Sequence, residues 1–537
     1  MSRPGPPPVR EPARPVPSFG RSTAVMAAGT LTSRLTGFAK LVALAYALGF
    51  TRLTDTYNLA NVTPNIIYEL VLGGVLSATL LPLFVDQLAG DRDEDEAWQA
   101  ISAVVTVIAV ILAVLAVVFV LAAPLVIRLY TAGNATSSAD EQQAVATTLL
   151  RMFAPQVAFY GMVSVTTALL NARRRFAAPM FAPVLNNLVV IGVLLALPHL
   201  AGDLSLAAMR QDPGAVTFLG LGTTAGVVAM ALAQLPSLRR SGARLRLLWQ
   251  PGHPAVRAVL RLSGWTFGFV ATSQAALWVT LVLANGHRGD VAAYQAALIF
   301  FLLPHGVFAV SVMTALQPDL AEHWSAGDVA AFRRRVSLGL RTTVAVMLPA
   351  AVGYLCLARP IVRVALEHGA LTASSARSTG GVLTMLAIGL PAFSLYLFLM
   401  RVYQAMQDTR TIFLLYLVEN GANVGLALAL YPSMGVAGLG LAYALAYAVG
   451  TAVAMVDLRR RLGGLDGTAV ARSWARVGVA TSAMAVVVGA VALTVDPTLV
   501  EVVVGVVAGL VTYLLVARAL GLPELRALLR VRRRHTA

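Results

Sequence analysis

The sequence predicts an all-α integral membrane protein with about fourteen transmembrane helices, and three observations support this fold class. Hydrophobic residues make up 58% of the 537 positions and charged residues only 12%, whereas soluble proteins have roughly a quarter charged residues. The mean hydropathy is +0.75. Long apolar segments recur along the chain, and arginines concentrate in alternate connections between them. Most of the protein surface therefore faces lipid.

The predicted spans follow from the thickness of a bilayer. A hydrocarbon core of about 30 Å requires a helix of about 20 mainly apolar residues. Fourteen segments meet this requirement: 23–50, 57–87, 99–127, 144–170, 177–199, 214–236, 262–285, 292–316, 338–358, 379–400, 411–431, 435–457, 474–495 and 498–518. An even number of crossings places both termini on the same side of the membrane.

The distribution of basic residues predicts that this side is the cytoplasm. Of the 41 lysines and arginines, seven fall in loops that would then lie outside. These are Arg52, Arg128, Arg210, Arg288, Arg359, Arg363 and Arg377. The arginine clusters at 173–175, 333–335, 459–461 and 532–534 fall inside, as the positive-inside rule requires. This asymmetry explains the net charge of +16, and we expect no nucleic-acid partner.

Two similar six-helix units are predicted from matches at a nearly constant offset. Asn187 and Asn420 end related segments, 169–187 and 403–420, and lie 233 positions apart. Tyr57 and Tyr294, 237 positions apart, open the second and eighth spans. Parallel repeats of this kind are common in transporters. The predicted organisation is a disordered, basic, Pro-rich cytoplasmic tail at 1–22, six-helix lobes at 23–240 and 241–461, two additional helices at 462–520, and a basic cytoplasmic tail at 521–537.

The sequence contains no recognisable catalytic or metal-binding motif. A single cysteine, Cys356, excludes an intrachain disulfide and a cysteine-cluster metal site. The only lysine, Lys40, does not follow the Gly-rich turn of a P-loop. An acidic turn at 90–98 is the one candidate for a membrane-embedded transferase, and a solvated loop is its better interpretation. We therefore expect a transporter without a cofactor rather than an enzyme.

Two cations lie inside the first predicted span, where a charged residue costs about 2.5–3.5 kcal/mol at mid-helix. Arg34 lies about 16 Å into the span, near the bilayer midplane, and Lys40 about 9 Å farther out and about 120° round the helix. We interpret both as cavity residues that bind an anionic substrate. The alternative is a buried ion pair between Arg34 and Glu69 that ties the first two spans together, which is a poor source of stability.

The second span supplies the other predicted cavity residues. Asp55 lies at its outer mouth and Glu69 deep within it, and helix capping is an equal alternative for Asp55. Pro64, Gly73 and Gly74 predict a hinge in this span.

A second polar group is predicted in the eleventh span. Glu419 and Asn420 lie deep in it. They either face the cavity or form hydrogen bonds between helices, which stabilise helix packing in membranes.

Several stretches together resemble the MurJ (MviN) family of lipid II flippases. They are GTLTSRLTGFAKLVALAYALGF (29–50), TDTYNLANVTPNIIYELVLGGVLSATLLPLF (54–84), LLNARRRFAAPMFAPVLNN (169–187) and QAMQDTRT (404–411). The resemblance covers essentially residues 23–520. The superfamily of these flippases also holds polysaccharide flippases and MATE drug exporters.

The resemblance implies two six-helix lobes around a V-shaped central cavity, two extra helices that form a hydrophobic groove, and alternating access. The cavity-facing cations of the family correspond to Arg34 and Lys40, and the acidic residue of its T-D pair to Asp55. This sequence also departs from the family pattern, because Tyr68, Glu69, Gly73, Ile299 and Leu302 stand where many relatives carry charged residues. The cationic set is therefore thinner than in those relatives.

These observations lead to one expected function. We expect a flippase of the bacterial cytoplasmic membrane that moves lipid II, an undecaprenyl-diphosphate-linked disaccharide-pentapeptide, from the inner to the outer leaflet. The drive would be the membrane potential or a coupling cation, and the partners would be membrane lipids and the machinery of cell-wall synthesis or division. The alternatives are a flippase for another polyprenyl-linked glycan and a drug/cation antiporter of the same fold.

Overall fold

The computed structural model describes residues 19–70, 80–89, 94–132, 139–262 and 264–524, which are almost entirely helical and include no strand. The helices of the first half are α1 (Phe19–Leu48), α2 (Arg52–Tyr68), α3 (Leu81–Ala89), α4 (Glu94–Thr131), α5 (Ala139–Phe153), α6 (Gln156–Ala172), α7 (Ala177–Leu200), α8 (Leu206–Gln211), α9 (Pro213–Leu232) and α10 (Leu235–Arg240). Those of the second half are α11 (Pro254–Leu262), α12 (Gly264–Ala284), α13 (Asp290–Pro304), α14 (Val310–Ser325), α15 (Val329–Leu366), α16 (Ala373–Ile388), α17 (Leu390–Ala405), α18 (Thr409–Met434), α19 (Val436–Arg461), α20 (Gly467–Thr494) and α21 (Thr498–Ala519). A π-helical segment, His305–Ala309, joins α13 to α14.

The helices pack as two lobes and an additional pair. In the N-lobe, α1 to α10, α1 lies along α7 and α7 along α9, while α5 contacts α2, α4 and α9. In the C-lobe, α12 to α19, α18 packs on α19 and α12, and α15 on α16 and α17. The pair α20–α21 packs along α15. The all-helical fold is thus confirmed, although α1 begins at Phe19, four residues before the predicted span.

Side-chain caps fix where several helices begin. Thr51, Asp212, Asp328, Thr372 and Asp408 each accept a hydrogen bond from a backbone N–H in the first turn of the helix that follows. Such caps satisfy N–H groups that have no partner inside the helix. The polar connections therefore mark the helix ends, as the sequence patterns suggest.

The predicted number of fourteen spans is not confirmed. Within the described residues, eleven helical segments are long and apolar enough to cross a membrane, and twelve if α16 and α17, bent by 52°, form one span. The first two predicted spans are missing from this set. α1 carries Arg34 and Lys40, and α2 has only 17 residues and is separated from α3 by residues 71–79, outside the described parts of the chain. α1 is too polar to meet the requirement, whereas the described part of α2 is too short for it.

The two lobes meet at one face of the bundle, which we call the sealed face. It contains the connections at 49–51, 285–289 and 367–371. The N–H of Ala370 donates to the carbonyl oxygen of Tyr46 at 2.8 Å, and the rings of Phe38 and Phe300 meet edge to face with centroids 5.2 Å apart. This contact joins α1 of the N-lobe to the C-lobe.

Candidate functional site

Arg34 lies where α1 meets the C-lobe. Its guanidinium group lies against the backbone of Gly306, in the π-helical segment, and a Cβ atom at that position would collide with it. The side chain of Arg34 is half-buried and forms no ion pair or hydrogen bond within the described residues. A π-helical turn is rare and often marks a functional site. The structure thus places at the junction of the two lobes a cation that has no ion-pair partner among the described residues.

The orientation of α1 around Arg34 is fixed by α7. The side-chain amide of Asn187 donates to the carbonyl oxygen of Ser33 at 3.3 Å and to Oγ1 of Thr36 at 3.1 Å. These acceptors flank Arg34 in the sequence. Hydrogen bonds between membrane helices each contribute about 0.6–2 kcal/mol. Asn187 therefore fixes the rotation of α1 about its axis, and with it the direction in which Arg34 points.

Lys40 and Glu69 do not join Arg34 in an ion pair. Lys40 is half-buried on α1, and Glu69 is half-buried just after the last residue of α2. Neither has an ion-pair partner within the described residues. The proposed alternative of an Arg34–Glu69 pair is therefore absent from this conformation.

His305 is a neighbour of Arg34 that the sequence analysis did not select. Its Nδ1 atom lies 2.9 Å from Oγ of Ser394 on α17, and its ring meets Phe393 at a centroid distance of 4.8 Å. This pairing holds the π-helical segment against α17. A single histidine next to a proline in an apolar span gave no signal of this role.

Asp55 connects the lobes at the sealed face. It is fully buried, and its two carboxylate oxygens accept hydrogen bonds from the N–H of Gly289 at 2.6 Å and of Ala292 at 3.0 Å. Gly289 adopts a φ of 84° and has no capping side chain of its own. Asp55 is thus a helix cap, but for α13 of the opposite lobe, whereas Thr51 caps α2.

A second set of hydrogen bonds lies beside Asp55. Nη1 of Arg52, 9% exposed, donates to the carbonyl oxygen of Asn285 at 2.8 Å. Nε2 of Gln142 donates to Oδ1 of Asn285 at 2.8 Å, and Nδ2 of Asn285 donates to the carbonyl oxygen of Tyr130 at 3.3 Å. Arg52, predicted as an ordinary outer-loop residue, is therefore part of a buried network that joins the lobes.

Glu419 and Asn420 lie inside the C-lobe. Glu419 is 1% exposed and packs beside Gly450 and Tyr396, and its carboxylate has no hydrogen-bond partner within the described residues. Nδ2 of Asn420 donates to Oγ of Ser273 on α12 at 3.3 Å. Asn420 thus ties α18 to α12 as its repeat counterpart Asn187 ties α7 to α1.

The predicted hinge is described only in part. Pro64 is buried within α2, which continues past it to Tyr68. Gly73 and Gly74 lie outside the described residues. The hinge therefore remains a prediction.

The internal repeat contained the signal for the residues that sequence analysis missed. Arg52 and Asn285 are 233 positions apart, and Asp55 and Ala292 are 237 apart. These are the two offsets of the repeat. Equivalent segments of parallel repeats can meet at the axis that relates them, so the offset itself indicates pairs that face each other across the lobes.

Comparisons with known proteins agree on one family. The family model described as "Lipid II flippase MurJ" matches residues 44–510. The probable lipid II flippase MurJ of Rhizobium tropici is 27% identical over 432 residues, covering 80% of this chain and 79% of the relative. That of Thermotoga maritima is 25% identical over 433 residues, covering 80% and 83%.

Solved structures agree on the fold. A lipid II flippase MurJ in an inward closed conformation has a TM-score of 0.75 at 21% identity, covering 92% of this chain and 98% of that one. An inward-facing MATE multidrug transporter has a TM-score of 0.66 at 13% identity, covering 83% and 99%. The family match begins at residue 44, so the roles of Arg34 and Lys40 depend on the geometry described above.

Proposed function

The chain belongs to the MurJ family of lipid II flippases and is a multi-pass bacterial membrane transporter rather than an enzyme, and from this premise we propose that it moves lipid II from the inner to the outer leaflet by alternating access. The observation that carries the proposal is Arg34, a cation at the lobe junction with no ion-pair partner in the described residues. A diphosphate that crosses a hydrocarbon barrier needs compensating positive charge, and guanidinium binds phosphate oxygens through two parallel hydrogen bonds.

Lys40 and Glu69 have different roles in this proposal. Lys40 lies nearer the sealed face than Arg34 on the same helix, so it would steer or release the diphosphate. Glu69, half-buried directly after α2, would weaken binding enough for release, because a site that only attracts its substrate retains it.

The sealed face is the outer face in this proposal, and both termini are cytoplasmic. The arginine clusters at 173–175, 333–335 and 459–461 lie directly after α6, near the start of α15 and in the last turn of α19. These helix ends point away from the sealed face, and the positive-inside rule favours the cytoplasmic side for them. Opening to the outside would then break the contacts of Arg52 and Asp55 with the C-lobe.

Topology can be tested with single cysteines after Cys356 is replaced. A cysteine at position 174 should stay unlabelled by an impermeant thiol reagent in intact cells, and one at the exposed position 288 should be labelled. Labelling at 174 would contradict the proposed orientation.

The energy for transport would come from the membrane potential or a cation gradient. The potential contributes about 2.3 kcal/mol per charge per 100 mV. Glu419, a buried carboxylate without a hydrogen-bond partner in the described residues, is the group that would take up a proton or a metal cation. Partners in cell-wall synthesis or division remain a prediction.

One feature favours a second candidate. Tyr68 and Glu69 stand where the family resemblance implies a pair of arginines, so the cationic set is thin. A flippase for another polyprenyl-linked glycan fits this set as well. A drug/cation antiporter of the same fold fits less well, since Arg34, which has no ion-pair partner in the described residues, is a cation and not a carboxylate.

Transport by purified protein in vesicles tests the proposal. We expect wild-type protein to expose fluorescent lipid II to an impermeant reagent, and Arg34→Ala to abolish this. Arg34→Lys should keep partial activity at best, because lysine lacks the planar fork. The matched control is Arg151→Ala, an exposed arginine at the end of α5. Full activity of folded Arg34→Ala would refute the proposal, and equal transport of other polyprenyl-diphosphate glycans would favour the second candidate.

A further inference from the structure

A separate pocket of about 350 Å³ opens on the sealed face, between the ends of α15, α16 and the α20–α21 connection. Its position on that face follows from the adjoining connection at 367–371, which is hydrogen-bonded to Tyr46 of α1. Six charged side chains line it: Arg359, Arg363, Arg377, Glu367, Asp496 and Glu501. Three of the seven arginines that the sequence places outside are therefore gathered in one pocket.

Apart from Glu367, which pairs with Arg363, the charges of the pocket are separated by sign. The arginines lie on α15 and α16, whereas Asp496 and Glu501 lie on the α20–α21 connection and the first turn of α21. Nε of Arg363 is 3.4 Å from Oε2 of Glu367, one helical turn away. Within the described residues, Arg359 and Arg377 form no ion pair, and neither do Asp496 and Glu501.

The walls of the pocket are held in place by close helix packing. Arg359 lies against Gly380, where α15 and α16 approach each other. Leu357 of α15 packs on Gly505 of α21, and the hydroxyl of Tyr513 donates to the carbonyl oxygen of Ala345. The opposite charges are therefore kept apart across the pocket by the packing of the helices that carry them.

A ligand with one negative and one positive group suits this arrangement. Guanidinium groups bind phosphate oxygens, and carboxylates accept hydrogen bonds from a primary ammonium. Val504 and Val511 follow Glu501 by three and ten positions on α21, and both are exposed, so an apolar strip of this helix begins beside the pocket. Apolar chains attached to the ligand would lie along this strip.

We propose that the pocket binds the headgroup of a phosphoethanolamine lipid in the leaflet at the sealed face. The phosphate contacts Arg359 and Arg377, the ammonium contacts Asp496 and Glu501, and the acyl chains follow α21. This site is distinct from the cavity of Arg34, and its occupation does not require lipid II. Binding would fix the α20–α21 pair against α15.

Lipid binding to the purified full-length chain tests the proposal. Lipids with identical acyl chains and phosphoethanolamine, phosphocholine or phosphoglycerol headgroups are titrated into the detergent-solubilised protein. Bound lipid is counted by native mass spectrometry, and the melting temperature is recorded. We expect phosphoethanolamine lipid to bind most tightly. The double variant Arg359→Gln, Arg377→Gln should lower its affinity about tenfold, a factor that corresponds to about 1.4 kcal/mol.

The acidic pair gives the more specific readout. In Asp496→Asn, Glu501→Gln the ammonium loses its partners while the phosphate keeps the arginines, so preference should change to the anionic phosphoglycerol lipid. The control is Arg128→Gln, Arg210→Gln, two exposed arginines outside the pocket, which should keep the wild-type preference.

Four results would overturn the proposal. One is equal affinity of the wild-type protein for all three lipids, and another is an unchanged preference in both pocket variants. The third is equal stabilisation by soluble glycerophosphoethanolamine, which would assign the site to a free ligand. If the acidic variant melts lower by the same amount with and without lipid, the charges only brace the connection, which likewise refutes lipid binding. Lipid II transport by these variants is measured separately, so failure here is distinguishable from failure of the proposed flippase function.

Discussion

Removal of the Asp55 carboxylate should open the sealed face. Asp55 accepts one hydrogen bond from Gly289, the residue before α13, and one from Ala292 in the first turn of this helix in the other lobe. A hydrogen bond to a charged group contributes about 1.5–3 kcal/mol net, and we take about 3 kcal/mol for the pair because the freed N–H groups regain water on opening. Asp55→Ala should therefore shift the ratio of sealed to open molecules by about 100-fold. Asp55→Asn keeps one acceptor oxygen and should shift it by about tenfold.

The shift can be measured as a distance between spin labels. Asp140 of the N-lobe and Arg288 of the C-lobe are both exposed near the sealed face. Cysteines at these positions, with Cys356 replaced, allow the distance distribution to be recorded by electron–electron double resonance. A ratio of 1000:1 in the parent would fall to about 10:1 in Asp55→Ala, which makes the longer distance detectable.

Asp212→Ala is the matched control for this experiment. Asp212 caps α9 through the N–H of Ala215 at 2.9 Å, within one lobe. Its loss should cost about 1 kcal/mol of stability and leave the distance distribution unchanged. An unchanged distribution in folded Asp55→Ala, or an equal change in Asp212→Ala, would refute the assignment of Asp55 as a lobe-to-lobe contact.

Three further predictions concern other parts of the chain. Gly306→Ala should displace Arg34 and reduce lipid II transport about tenfold, even though alanine raises helix propensity by about 1 kcal/mol; unchanged transport in the vesicle assay would show that the contact has no role. Replacing Gly73 and Gly74 together by leucine should reduce transport with a similar yield of folded protein, and full transport would remove the case for a hinge. Burial tends to raise the pKa of Asp408, but hydrogen bonds from Thr411 and Arg461 outweigh it and lower the pKa below the ordinary value. The stability that Asp408 contributes should thus be complete above about pH 4 and lost as the pH falls through its folded-state pKa, and melting curves of Asp408→Asn should converge with those of the parent at low pH.

Composition and periodicity are sufficient to predict the membrane fold, because an apolar run of twenty residues has few other uses. The same criterion does not select α1, which carries Arg34 and Lys40, or the described part of α2, which has only 17 residues. Arg34 could be selected from sequence because a charge in a span is costly. The contact of Arg34 with Gly306 could not be predicted, because it depends on the docking of two lobes.

Contacts between residues that are far apart in the sequence are the main feature that the sequence alone does not predict. The partners of Asp55 are backbone N–H groups, which leave no side-chain signature in the sequence. Helix capping is one of the two equal alternatives that the sequence leaves open for Asp55, and the structure shows this type of interaction. The residue that receives the cap, Gly289, lies 234 positions away in the sequence. The two offsets of the internal repeat, 233 and 237, bracket this separation. The repeat therefore indicates which residues are in contact as well as which are similar.

The cap of α13 also has a consequence for the biogenesis of the protein. The first turn of α2 is capped by the adjacent Thr51. α13 has no such cap and depends on Asp55, which lies in the half of the chain that the ribosome makes first. Domains generally fold in the order of synthesis, so the acceptor is already in the membrane when α13 is inserted. The first half of the chain thus supplies the acceptor oxygens that α13 needs before this helix is inserted. A permuted gene that encodes the C-lobe first would insert α13 with its first-turn N–H groups unsatisfied until the N-lobe followed.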